Sequence, residues 1–206
     1  NAENPGISGF GDLYQNINQM NLFISRTLHT DVLTESARNY YLGQVYGLRA
    51  YYMYQLYRSW GDVVFTEEPS LGFEVGKLAK AATPAAEIFE QVKKDIESSL
   101  SYFGSDYTIK EKKSLWSKAA TLMLKADVYL WSAHRDGGEG DARTAKNALV
   151  DIQNNISRSN LDLMDTYQGV FAYDNKGNKE IIFTIHNELF EYNLWNGNND
   201  LFPQAD

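Results

Sequence analysis

The chain contains no cysteine, which excludes disulfide bonds, thiolate nucleophiles and zinc sites built from cysteine. Histidine is scarce, and no pair has the spacing of two zinc ligands on one helix; the three are His29, His134 and His186. The acidic turn with Asp136, Glu139 and Asp141 misses the EF-hand spacing, so we interpret it as a link between helices rather than a calcium site. No nucleophile, base or metal set stands at a recognisable spacing, which predicts a protein with no catalytic residues, metal or cofactor.

The chain also lacks an excess of basic residues and any long apolar run. Its 19 Lys and Arg residues against 27 Asp and Glu residues give a net charge of -8, which argues against a nucleic-acid partner. No run approaches the roughly 20 apolar residues that span a bilayer, and NAENPGISGF is not a signal peptide. If the protein is exported, we expect its signal to lie outside these 206 residues. The length fits one domain, or a large part of a bigger protein.

Aromatic residues are abundant, at 14% of the chain with 14 tyrosines, and they concentrate in residues 40–60. This stretch, YYLGQVYGLRAYYMYQLYRSW, is apolar or aromatic on nearly every helical face. A helix of this kind needs packing partners on at least two sides. The sequence therefore predicts a mainly α fold in which other helices lie against a central helix.

Arg49 is the exception in the middle of the central helix. A guanidinium on such a surface must reach water or meet a carboxylate or backbone carbonyls. We expect Arg49 to be a structural anchor paired within the fold. The alternative is an arginine that binds a ligand.

Four further helices are predicted around the central one. Their approximate spans are 12–30, 83–104 with Thr83 as the cap, 114–133, and a last helix that Asp141 caps and that ends near Ser157. Residues 61–82 read as a loop with a short extended piece at 63–66. Leu48-Arg49-Ala50 and Leu124-Lys125-Ala126 form a weak internal repeat. Such a repeat is expected for stacked helix pairs of the tetratricopeptide kind.

The last part of the chain has a different character. EIIFTIH, residues 180–186, predicts a short strand among long loops. Beyond it, aromatic rings alternate with amides, a mixture suited to sugars because C–H faces stack on rings while hydroxyls bind polar groups. The candidate ligand-binding residues are Tyr192, Asn193, Trp195, Asn196 and Asn198. The alternative is that Trp195 packs this loop onto the helices.

Five blocks of the sequence, in order, resemble one known family, the SusD/RagB-like outer-membrane nutrient-binding lipoproteins. The blocks are DLYQNINQMN, YYLGQVYGLRAYYMYQLYRSWGD, TPAAEIFEQVKKDIESSL, KSLWSKAATLMLKADVYLW and NLDLMDTYQGVFAYDNKGNKEIIFTI. Together they extend from Asp12 to Ile185. One departure is Val63-Val64, where members of the family commonly carry a proline soon after the glycine, so the conformation of this loop is open.

The resemblance implies a tetratricopeptide-like scaffold that binds oligosaccharides or polysaccharides. It also implies a TonB-dependent (SusC-like) transporter as partner and a location on the cell-surface face of the outer membrane of Bacteroidetes, held by a lipid anchor that this chain lacks. Family members are considerably longer, so we expect residues 1–206 to be a single helical domain within a longer protein. The competing interpretation is a helical-repeat scaffold that binds a protein partner and no sugar.

Overall fold

The computed structural model describes residues 10–72, 80–110 and 113–185. Within these residues the protein is helical, as predicted. The helices are α1 (Phe10–Leu28), α2 (Glu35–Trp60), α3 (Ala85–Phe103), α4 (Lys118–Ser132), α5 (Gly138–Asn154), α6 (Ile156–Ser159) and α7 (Tyr167–Phe171). A π-helical turn, Ala133–Gly137, joins α4 to α5, and a 3-10 turn, Tyr173–Asn175, follows α7.

Helix α2 is the centre of the fold. It packs against α1, α3 and α4, while α4 also packs against α5. Its side chains Ala50, Met53, Tyr54 and Leu56 are fully buried, because helices cover α2 on more than one side. The prediction of a central helix within tetratricopeptide-like helix pairs is confirmed.

Most helix ends follow local sequence signals. The Thr34 hydroxyl accepts a hydrogen bond from the Ala37 N–H at 3.3 Å, and the Ser117 hydroxyl accepts one from the Ala120 N–H at 3.2 Å. Gly61, at φ 73°, follows the last residue of α2, where a side chain would be strained. Gly104 closes α3 as predicted.

Three predicted boundaries were wrong. Thr83 does not cap α3, because its backbone pairs with Val63 in an isolated antiparallel bridge, and the Asp62 carboxylate accepts the Ala85 N–H at 2.8 Å instead. Helix α4 begins at Lys118 rather than near Ser114, because the capping hydroxyl is that of Ser117. Asp141 lies inside the first turn of α5 and does not cap it.

The predicted strand at 180–186 is also wrong for the residues that the structure describes, 180–185. The Thr184 N–H donates to the Lys113 carbonyl at 3.0 Å, and no strand lies beside this segment within the described part of the chain. Its apolar side chains serve helix packing instead, since the Phe183 ring lies 5.0 Å from that of Trp116.

None of the helices in the described part of the chain is both long and apolar enough to cross a lipid bilayer.

Candidate functional site

The ligand-binding residues predicted from sequence, Tyr192, Asn193, Trp195, Asn196 and Asn198, lie outside the described residues. Their role stays a prediction.

Arg49 is buried in the core, with 2% of its surface exposed. Its Nε and Nη2 donate to the two carboxylate oxygens of Asp95, each at 2.7 Å, and its Nη1 donates to Asn21 Oδ1 at 2.8 Å. Burial acts to lower the pKa of Arg49, but the hydrogen bonds that it donates to Asp95 and the negative charge of that carboxylate raise the pKa above its ordinary value. All three guanidinium nitrogens therefore bond inside the protein, and none is left to point at a ligand.

A surface depression that we call the turn groove lies between the end of α2, the start of α3 and the π-helical turn. Its volume is about 430 Å³. It combines three aromatic side chains with five charged ones, which are Tyr57, Phe89, Trp131, Glu90, Lys93, Arg135, Asp136 and Asp141. A pocket with aromatic faces and converging polar groups is the usual form of a small-molecule site.

The two ends of the loop between α2 and α3 position the helices that line the turn groove. The Val63–Thr83 bridge closes this loop with two backbone hydrogen bonds of 3.2 and 2.8 Å. The Asp62 cap then fixes the first turn of α3 at Ala85. Together these contacts hold the start of α3 beside the last turns of α2.

The aromatic wall of the turn groove is built from stacked rings. The centre of the Tyr57 ring lies 4.9 Å from that of the Phe89 ring. The Tyr57 ring also stacks on the Tyr54 ring, with the centres 6.3 Å apart and an interplanar angle of 14°. Phe89 and Tyr54 are buried, so Tyr57 stands on a rigid base. Trp131 adds a large ring with 39% of its surface exposed.

The π-helical turn carries the polar side of the turn groove. Arg135 Nη1 donates to the Tyr57 hydroxyl at 3.0 Å across the groove. A Cβ at Gly137 would overlap the Asp141 carboxylate and come within 2.8 Å of the Ser132 hydroxyl, so only glycine fits there without movement. π-helical turns change the direction in which the neighbouring side chains project, and they are frequent at functional sites.

Lys93 joins the polar and aromatic parts of the turn groove. Its Nζ lies 4.8 Å from the centre of the Phe89 ring and 3.1 Å from Glu90 Oε1. Beside this layer, burial and the nearby Asp127 carboxylate raise the pKa of Tyr54 to about 12.

The turn groove has the chemistry to hold a polyhydroxylated ligand. Aromatic rings offer faces for C–H groups, and the charged side chains both donate and accept hydrogen bonds. Among the residues described, His, Asp and Glu side chains form no group of three or more that could hold a metal ion.

Sequence reasoning missed the turn groove. The HRDGGEGDA segment, residues 134–142, indicates by its sequence a turn that links two helices, and Trp131 ends a block that resembles the family's scaffold. The available signal was a large aromatic residue directly before a charged, glycine-rich turn.

The described helices form a helical-repeat scaffold. The family model described as starch-binding and associating with the outer membrane matches residues 4–130, so the chain belongs to the SusD-like family. The resemblance inferred from the sequence is confirmed.

Solved structures and curated sequences give the same picture. NanU of Bacteroides fragilis is 49% identical, with a TM-score of 0.85, and the match covers 95% of this chain and 38% of that one. A SusD superfamily protein from Bacteroides vulgatus is 46% identical, with a TM-score of 0.82 over 95% of this chain and 39% of that one. A SusD-like protein of Formosa agariphila is 26% identical over 84% of this chain and 31% of its own length. The chain thus spans about a third of the relatives that it matches.

Proposed function

We propose that the chain is the helical part of a cell-surface protein that captures oligosaccharides without chemical change and passes them to a TonB-dependent transporter. Membership of a family described as starch-binding and associating with the outer membrane supports this proposal. The observation that carries it is the arrangement of Tyr57, Phe89 and Trp131 beside Arg135 in one groove.

In the proposed mode of binding, the exposed Trp131 ring stacks on the C–H face of a sugar. The hydroxyls at the edge of the sugar then bind Arg135, Asp136 and Asp141. The hydrogen bond from Arg135 to Tyr57 holds the guanidinium in place before the ligand arrives, which lowers the entropy lost on binding. No cofactor or metal takes part.

The 192–198 segment is a second proposed contact surface, on its composition alone. We also propose that the chain belongs to a longer protein, because its relatives are more than twice as long, and that the protein is held at the outer membrane by a lipid anchor. Arg49 is the proposed structural anchor of the scaffold that carries both surfaces.

A glycan array tests the proposal. We expect the wild-type chain to bind one class of glycan and the double variant Arg135→Ala, Asp136→Ala to lose most of that binding. Incubation with amylopectin and an assay for new reducing ends should show none. Binding without any new reducing ends supports capture, whereas new reducing ends would show an enzyme.

The transporter step needs a separate experiment. An affinity-tagged protein of full length, expressed in its own organism, should co-purify a TonB-dependent transporter from detergent-solubilised outer membranes. Recovery of outer membrane proteins without such a transporter would contradict this part of the proposal.

A protein-interaction scaffold that binds no sugar is the second candidate. Exposed rings near the end of the described chain favour it, since Tyr167, Phe171 and Tyr173 are 77%, 69% and 85% exposed. An empty glycan array together with transporter co-purification would establish this alternative.

A further inference from the structure

A second depression, which we call the second groove, lies at the opposite end of α2. Its volume is about 580 Å³. The first turn of α2 and the last turn of α3 line it, with Glu35, Ser36 and Asn39 on one side and Ser101 and Tyr102 on the other. Like the turn groove, it combines an aromatic ring with donors and acceptors of hydrogen bonds.

The ring of Tyr102 is held in place from the core. It stacks on Tyr46 at 5.6 Å with an interplanar angle of 11°, and the Arg49 guanidinium carbon lies 5.2 Å from the centre of the Tyr46 ring. A line of contacts therefore runs from the buried Arg49–Asp95 ion pair to the second groove. A ring fixed in this way loses little entropy when a sugar stacks on it.

Four polar side chains that line the second groove are available. Those of Glu35, Ser36, Asn39 and Ser101 form no hydrogen bond with any other residue in the described part of the chain. Asn39 is half-buried, so its amide has a restricted direction. An amide, carboxylates and hydroxyls beside aromatic rings match the hydroxyls of a sugar rather than an apolar ligand.

Helical periodicity places residues of both grooves on one face of α2 and on one face of α3. Asn39 and Tyr57 are 18 residues apart on α2, which is five turns, so they share a face and are about 27 Å apart. Glu90 of the turn groove and Ser101 of the second groove are 11 residues apart on α3, close to three turns, and also share a face.

We propose that the second groove is a second saccharide subsite and that the preferred ligand is a polysaccharide long enough to occupy both grooves. This inference rests on the proposed function, because it assumes that the turn groove binds a sugar. Occupation of one groove by a chain raises the effective concentration of its remaining units at the other. The protein thereby selects polymers over short fragments.

The test compares a polymer with a short fragment of the same sugar. Amylopectin is paired with maltotriose and arabinoxylan with xylotriose, and affinity electrophoresis and calorimetry give the dissociation constants. The variant Asn39→Ala, Ser101→Arg removes the amide and fills the second groove. Its matched control, Asn147→Ala, Ser157→Arg, makes the same changes at exposed positions on α5 and α6.

We expect the second-groove variant to weaken binding of the polymer at least tenfold and to leave the trisaccharide unchanged, while the control matches the wild type. Unchanged binding of the polymer would overturn the second subsite and leave the proposed function intact. An equal loss for polymer and trisaccharide would also overturn it. If neither polymer binds the wild-type chain and the glycan array is empty, the proposed function and the second subsite both fail.

Discussion

Arg49 and Asp95 form a bidentate ion pair between α2 and α3, in which both nitrogen–oxygen distances are 2.7 Å. The exposed fraction is 3% for the Arg49 side chain and 1% for the Asp95 side chain. The pair joins the central helix to the helix that carries Phe89 and Tyr102. The pair therefore holds together two of the helices that line both grooves.

Asp95→Ala tests this pair, because it leaves the Arg49 charge buried without its carboxylate. We expect a loss of about 3–5 kcal/mol in the free energy of unfolding, measured in urea. The exposed pair Lys94–Glu67 is the control, and Glu67→Ala should cost less than about 1 kcal/mol. The double variant Arg49→Met, Asp95→Leu should recover much of the loss. Similar small effects for both pairs would show that the buried pair is not an anchor.

Gly47→Ala tests the close packing of α2 on Trp116. A Cβ at residue 47 would overlap the Trp116 Nε1 atom, which donates to Thr121 Oγ1 at 2.8 Å and cannot move because the indole is buried. We expect a loss of about 1–3 kcal/mol despite the better helix propensity of alanine. Gly140→Ala, which meets nothing within 4 Å, should instead be neutral or stabilising by up to about 1 kcal/mol. Equal effects would contradict the packing described.

Two buried tyrosines allow the stability contributed by a hydroxyl hydrogen bond to be measured apart from that contributed by packing of the ring. The Tyr107 hydroxyl donates to Asp151 Oδ1 at 2.6 Å, whereas the buried Tyr54 hydroxyl has no hydrogen-bond partner within the described part of the chain. Tyr107→Phe should therefore cost about 1–3 kcal/mol, and Tyr54→Phe should cost nothing or stabilise. Thermal unfolding of both variants checks this, and a larger loss for Tyr54→Phe would contradict it.

Alkaline pH should unfold the protein through the same two side chains. Burial raises the pKa of Tyr54 and of Tyr107 from 10.0 to about 12. Between these values the unfolded state has lost protons that the folded state keeps, so stability falls as pH rises from 10 to about 12 and is unaffected by these groups below pH 10. Urea titrations across this range measure the slope, and Tyr54→Phe should reduce it. A slope that Tyr54→Phe leaves unchanged would contradict the shifted pKa.

The helices could be predicted from sequence because their apolar spacing and local caps are properties of neighbouring residues. The conflict between Arg49 and its apolar surroundings likewise pointed to a partner within the fold, either a carboxylate or backbone carbonyls. Asp62, however, caps a helix that starts 23 residues later, and no local pattern shows this. The prediction of a strand at 180–185 was wrong for a similar reason, since a segment with high β propensity forms a strand only where a neighbouring strand can pair with it. The turn groove depends on an insertion in the helix and on contacts among three elements, so it too became visible only in three dimensions.

The proposed sites leave one prediction about the 192–198 segment. Trp195→Ala should abolish retention on a glycan gel without changing the melting temperature. A lower melting temperature with intact retention would show that this ring packs against the helices instead.

The most direct test of the account is retention of the protein in an affinity gel that contains the glycan class selected by the array, for Trp131→Ala against Trp60→Ala. The two tryptophans are similarly exposed, at 39% and 36%, but only Trp131 lines the turn groove. We expect Trp131→Ala to lose retention at an unchanged melting temperature and Trp60→Ala to behave like the wild type. Full retention of Trp131→Ala would contradict glycan capture in the turn groove.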